Sequence, residues 1–224
     1  MVSFTQKDRY DYEDLLRLVT FLRSEDGCPW DHAQTHASIR RNLLEEAYEA
    51  CEGIDRDDAA LMQEELGDVL LQVVFHADIE RQRGRFDMDD ICDAVCKKLI
   101  FRHPHLFFGG ERQDWDELKK REKGSRTLSD TLDGVARTLP ALIRAEKFRE
   151  KAAKDGWQGA EPAAEDALAR LRQAPAGSDE AAAAMGDLLM AAAEIGVRKD
   201  VDNETALQNA CEAMIRRIAA EQPL

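Results

Sequence analysis

The sequence predicts an all-α protein, a helical bundle with a degenerate second repeat. Apolar residues recur at the helical period almost throughout the chain. Strand signals are missing: there are no alternating β-branched runs and no Asn-Gly hairpins. The second half also repeats the first in diluted form. "AAAAMGDLLMAAAEIG" echoes "QEELGDVLLQVVFHAD", and "NACEAMIRRI" echoes "DAVCKKLIFR". Self-similarity of this kind marks an internal duplication with halves of about 100 residues. The expected organisation is a first domain over 1–125 and a second over 126–224.

The elements follow in order. Leu15, Leu18, Val19 and Leu22 form one stripe on a helix from Tyr12 to Leu22. "SEDGCPWD" interrupts the pattern with Gly27 and Pro29 and reads as a loop. Ser38 can cap a second helix, "IRRNLLEEAYEACE", which stops at Gly53. Asp57 or Asp58 can cap a third, running to about Gly84, and Phe86 to Arg102 is a fourth, ended by His103-Pro104-His105. After Gly110 the chain is polar up to about Leu132. Helical patterns return at Leu139–Lys154, Ala163–Arg172, Glu180–Val197 and Glu204–Ala219, with "QAPAGSDE" as a loop between two of them.

Bulk composition narrows the function classes. A 44% apolar fraction is enough for a packed core. The net charge of −14 repels phosphate backbones and disfavours nucleic-acid binding. A small polyanion is still accommodated where a bound cation reverses the local sign. The five cysteines include no CxxC, and Cys92 with Cys96 lacks a second pair, so they read as buried or half-buried thiols. No basic apolar leader and no membrane-length apolar run occur, which points to a cytoplasmic location and no membrane partner.

The chemistry concentrates in two adjoining helices. Glu45, Glu46 and Glu49 lie on the second; Glu64, Glu65 and Asp68 lie on the third, just before the apolar run "VLLQVVFHA". A short turn makes the two helices an antiparallel hairpin. Helical rise puts Glu46 about 10 Å and Glu49 about 6 Å from the turn, with Glu65 about 12 Å and Asp68 about 16 Å on the other arm. Residues three apart share a face. If the faces meet, four carboxylates converge, and such a cluster is stable only with protons or a cation. An all-oxygen donor set suits Mg²⁺, with Mn²⁺ as a substitute. Gly67, between the acids, removes a side chain and lets a ligand or helix approach. Lys98 and Arg102, one turn apart, can neutralise metal-bridged phosphates. Trp30 and Trp115 can stack on a base but equally serve as core or lid aromatics. His76 reads as a core histidine; His32 and His36 read as loop or helix-start residues.

"GCPWDHAQTHASI", "LLEEAYEA", "EELGDVLLQVVFH", "KLIFRHPHLF" and "WDELKKREK" together closely resemble the MazG family of nucleoside triphosphate pyrophosphohydrolases over residues 15–123. The resemblance implies an all-α, Mg²⁺-dependent homodimer that cleaves a nucleoside triphosphate to monophosphate and pyrophosphate. It implies Glu46, Glu49, Glu65 and Asp68 as metal ligands, and Lys98 and Arg102 as phosphate-binding residues. Trp115 falls on the nucleotide-contacting tryptophan, and Asn42 and Glu45 on positions lining the nucleotide; Glu45 is also a candidate for orienting the attacking water. The second half departs from this pattern. "DALARLRQ" has no ExxE, only Gly186 and Asp187 remain of the second motif, and Ala213 replaces the lysine although Arg217 persists. One carboxylate cannot hold the cation, so this half is expected to be catalytically inert. Two other readings stay open: a non-catalytic helical interaction module, and a narrower dUTP or dCTP pyrophosphatase.

Overall fold

A computed structural model describes residues 4–124, 127–157 and 163–221. The described residues form helices and no strand. The order is α1 (Tyr12–Leu22), α2 (Pro29–Ala33), α3 (His36–Asp55), α4 (Ala59–Gln82), α5 (Met88–Arg102), α6 (Pro104–Phe107), α7 (Trp115–Lys123), α8 (Leu128–Asp133), α9 (Ala141–Lys154), α10 (Ala164–Gln173), α11 (Asp179–Arg198) and α12 (Asn203–Glu221). The chain divides into two compact units, Met1–Arg112 and Gln113–Leu224. The domain boundary expected from sequence, between 125 and 126, lies outside the described residues.

In the first unit, α3 and α4 form the most extensive helix pairing. The core gathers Val19 of α1, Ile39 of α3, and Val74, Phe75 and Ile79 of α4. Thr35, rather than Ser38, caps α3: its side chain accepts from the Ser38 amide, while Ser38 Oγ accepts from the Thr35 amide. This reciprocal capping box explains why both hydroxyls stand at the start of the helix. Gly53 does not stop the helix, which continues to Asp55. The chain instead reverses at Asp57, whose φ of 52° is a left-handed conformation that Asp tolerates. Asp58 then caps α4 by accepting from the Ala60 and Leu61 amides.

Gly53 has a different task. A Cβ there would meet the Met62 backbone nitrogen at 2.8 Å, so glycine lets α3 and α4 touch near their turn. The "CPWD" stretch, expected as loop, makes the short helix α2 with Pro29 at its first turn, where a missing N–H is harmless.

The second unit is built on another hairpin, α10 with α11, packed against α9. Its core is thinner and alanine-rich: Ala145, Ala152, Ala167, Ala184, Ala191 and Ala193 are buried. Helices α7 and α8 occupy the stretch that sequence left as polar. Lys120–Asp155 at 2.6 Å and Lys154–Asp116 at 2.7 Å tie α7 to the end of α9.

Candidate active site

The two acid stripes do meet. Single carboxylate oxygens of Glu46, Glu49 and Glu65 lie within 4.8 Å of one another across the α3/α4 hairpin, close enough to share one cation. Asp68 stands outside this triplet. Its charge is nonetheless felt: burial first, then Asp68 and Glu49, pushes the Glu46 carboxyl above its ordinary range. Burial, followed by Glu49, Glu64 and Asp68, does the same to Glu65. Acids that hold protons too tightly are acids short of positive charge. An all-carboxylate set fits a hard divalent ion and gives a soft metal no sulfur or imidazole.

The site sits in a part of the hairpin where the core is absent. On α3 the buried positions are Ile39, Ala50 and Gly53; on α4 they begin at Gln72. The acids occupy the stretch between these two packed ends. Gly67 faces open space, with no atom beyond its own helix backbone within 4 Å of where a Cβ would stand. The expected close approach of a neighbouring helix is therefore met at Gly53, not at Gly67, which instead leaves the surface beside the acids clear.

The other expected residues are more dispersed. Asn42, half-buried, lies one turn before Glu46 on the same stripe. Glu45 is exposed, and its Oε1 accepts from Arg41 Nε at 2.6 Å, away from the triplet. Lys98 and Arg102 are both half-buried on α5, which packs on α4. Trp115 opens α7 in the second unit, with the Lys119 ammonium 5.6 Å from its ring centre. Trp30 is 63% exposed in α2 and shields no core. The cysteines differ from expectation: Cys28 is half-buried and Cys51, Cys92, Cys96 and Cys211 are exposed.

Sequence reasoning missed a buried polar network behind the acids. Arg23, 2% exposed, donates from Nε to Asp78 at 3.0 Å and from Nη1 to the Asp31 carbonyl at 2.6 Å, tying α1 and α2 to α4. Two residues further along α4, Glu80 is buried among Arg83, Arg85 and His36. Arg85 chiefly, then His36, holds its carboxyl down at about 2. Gln72, one turn beyond Asp68, is also buried, and its Oε1 has no protein partner. The visible signal for this network was charge persisting inside an apolar run, as in "HADIE".

In the second unit the corresponding aspartate is already satisfied. Asp187 accepts from Arg170 of α10 at 2.7 Å, so a guanidinium stands where the first hairpin has carboxylates. A cavity of about 430 Å³ between α7, α8 and α9 is lined by acids and lysines. Its Lys120 and Lys154 are engaged by Asp155 and Asp116, and Lys119 lies over Trp115.

Comparison with known proteins agrees with this geometry. Residues 34–107, which span both acid stripes, match the MazG nucleotide pyrophosphohydrolase domain. The nucleoside triphosphate pyrophosphohydrolase/pyrophosphatase MazG of Thermotoga maritima is 37% identical over 220 residues, covering 95% of this chain and 86% of that protein. The nucleoside triphosphate pyrophosphohydrolase of Escherichia coli K12 is 37% identical over 220 residues, covering 91% and 84% respectively. An uncharacterized protein of Bacillus subtilis, YabN, is 41% identical over 148 residues, 63% of this chain and 30% of that one. With two relatives of this likeness along nearly the whole chain, and with the family's domain lying across the carboxylate hairpin, the chain belongs to the MazG nucleotide pyrophosphohydrolase family.

Proposed function

We propose that the chain is a Mg²⁺-dependent enzyme that hydrolyses nucleoside triphosphates to monophosphate and pyrophosphate, with its working site on the α3/α4 hairpin alone. The observation that carries this is the convergence of Glu46, Glu49 and Glu65 within 4.8 Å, with Asp68 beside them. Mg²⁺, or Mn²⁺ in its place, when bound supplies charge neutralisation for the triphosphate and acidifies a coordinated water.

The chain's own residues do the rest. The four carboxylates hold the cation site in one geometry because each sits on a helix face rather than a loop. Lys98 and Arg102 offset the charge that gathers on the departing pyrophosphate. Asn42 lines the nucleotide beside Glu46. Glu45, held meanwhile by Arg41, is the group proposed to orient the attacking water. Trp115 stacks on the base. Cleavage of the α–β anhydride releases these two products, and the family resemblance implies attack at the α-phosphorus.

The second half is proposed to be inert in catalysis, because Asp187 is its remaining acid of the motif and Arg170 occupies it. Its proposed role is packing, dimerisation or regulation. We also propose a homodimer. The first unit leaves Leu44, Tyr48, Leu66, Leu70, Leu99 and Phe101 between 37% and 58% exposed, apolar surface that a second copy would cover. No described helix is long and apolar enough to cross a membrane. A cytoplasmic enzyme is the proposal that fits these features.

Chromatography of the products from a panel of nucleoside triphosphates, with Mg²⁺ and with EDTA, tests the assignment. Equimolar monophosphate and pyrophosphate, lost with EDTA, are expected. Diphosphate and phosphate, or no turnover of any triphosphate, would refute it.

A further inference from the structure

The acid hairpin is fastened at both ends and has no fully buried side chain in the middle. Near the turn, Gly53 lies against Met62. At the opposite end, the first residue of α3, His36, reaches two residues of α4. Its Nδ1 lies 2.6 Å from His76 Nδ1, and its Nε2 contacts Glu80 Oε1. The two imidazoles are nearly coplanar, with planes 13° from parallel and centres 4.9 Å apart, so they meet edge to edge through these nitrogens. Between these fastenings, α3 has no buried residue from 40 to 49, and α4 has none from 59 to 71. That interval contains Glu46, Glu49, Glu65 and Asp68.

An empty cluster of carboxylates pushes its two helices apart, since like charges in contact repel and little apolar burial opposes them here. Something must hold the arms together before a cation arrives. The tautomers in the neutral pair follow from the partners. Glu80 is an acceptor only, so His36 Nε2 carries a hydrogen and donates to it. His36 Nδ1 is then a lone pair, and the 2.6 Å contact requires His76 Nδ1–H to donate to it. Glu80 is itself fixed by Arg83 at 3.1 Å and by Arg85. The chain His76 to His36 to Glu80 thus has one direction, and each member locks the next.

We propose that His36, His76 and Glu80 are positioning residues for the carboxylate site: their relay clamps the start of α3 to α4, so that Glu46 and Glu49 face Glu65 and Asp68 in the cation-free protein. This rests on the metal-binding reading of the acids and adds the means by which the site is preorganised. Removing the relay lets the arms splay, and part of the cation's binding energy then goes into closing them.

The test is Mn²⁺ binding by the full chain, followed by the electron paramagnetic resonance signal of free Mn²⁺, with thermal unfolding measured in parallel. His76→Phe keeps an aromatic ring at this position but donates nothing. His76→Asn restores an N–H close to where Nδ1 stood. Outer residues that orient metal ligands commonly affect affinity about tenfold or more, so His76→Phe is expected to weaken Mn²⁺ binding by about tenfold. His76→Asn is expected to recover most of the loss. Mn²⁺ affinity unchanged in His76→Phe, whatever its unfolding temperature, would overturn the clamp while leaving the metal reading intact. Equal weakening in both variants would also overturn it, because the hydrogen bond would not be the cause. Wild type that binds no Mn²⁺ would remove the metal reading and the clamp together. Histidine side-chain ¹⁵N–¹H correlations read the relay without substitution: hydrogen on Nδ1 of His76 and on Nε2 of His36 is expected, and the opposite tautomers overturn it.

Discussion

The α3/α4 and α10/α11 hairpins are two versions of one device. Both are antiparallel pairs with a glycine-aspartate step on the second helix, Gly67-Asp68 in one and Gly186-Asp187 in the other. In the first, the aspartate stands beside three glutamates, and burial together with the neighbouring acids raises the proton affinity of Glu46 and Glu65. In the second, the buried alanines of α11 fill the interface and Arg170 holds Asp187 at 2.7 Å. The first hairpin is left with unbalanced negative charge and an open flank. The second has balanced its charge internally. The difference is electrostatic rather than architectural: both helix pairs persist, and in the second an arginine stands against the aspartate.

The comparison is broken most severely by removing a ligand from the first hairpin. Glu46→Ala is expected to lower Mg²⁺-dependent pyrophosphate release at least about a hundredfold, with the far-ultraviolet circular dichroism unchanged. Lys98→Ala and Arg102→Ala test the pair proposed to bind the departing phosphates rather than the cation. Each should reduce kcat by about one to two orders of magnitude while Mn²⁺ binding in the absence of nucleotide stays as in wild type.

Smaller effects separate the two glycines. Gly53→Ala forces a Cβ against the Met62 backbone and should cost about 1–3 kcal/mol in chemical denaturation. Gly67→Ala meets no atom beyond its own helix backbone within 4 Å and should stabilise the metal-free chain by about 0.5–1 kcal/mol, as alanine does in an exposed helix.

The smallest effect is a pH dependence. Glu46 and Glu65 have raised proton affinities in the folded chain, so their protonation favours folding. This stabilisation is present below the ordinary glutamate value of 4.5 and is lost as pH rises through the raised values. Glu46→Gln removes one of these charges. In EDTA, its unfolding temperature should match wild type in acid and exceed it by a few degrees at neutral pH. Divalent cation should reverse the order, because it stabilises wild type alone.

Much of this molecule was legible in its sequence, for identifiable reasons. Long helices announce themselves by period, and α1 runs from Tyr12 to Leu22 as the stripe of Leu15, Leu18 and Val19 implies. The acid cluster was legible because helical geometry and a short turn suffice to bring Glu46, Glu49 and Glu65 together. Short or polar helices were not: α2 carries a proline, and α7 and α8 have little apolar stripe to read. The cap of α3 was misplaced by three residues because Thr35 and Ser38 share one capping box. The Arg23–Asp78 pair and the His36–His76–Glu80 relay join residues about 40 to 55 positions apart, and only packing could reveal them. His32 and His36, read as simple loop or helix-start residues, differ in just this way. His32 does bond the Arg23 carbonyl at its own end of the fold, whereas His36 reaches across to α4.

The most direct measurement compares the two aspartates that the hairpins share. Pyrophosphate released from a nucleoside triphosphate in Mg²⁺ is measured for Asp68→Ala and Asp187→Ala side by side. Asp68→Ala should be inactive and Asp187→Ala should turn over at the wild-type rate. Full activity in Asp68→Ala, or a comparable loss in Asp187→Ala, would contradict a single working site on the first hairpin.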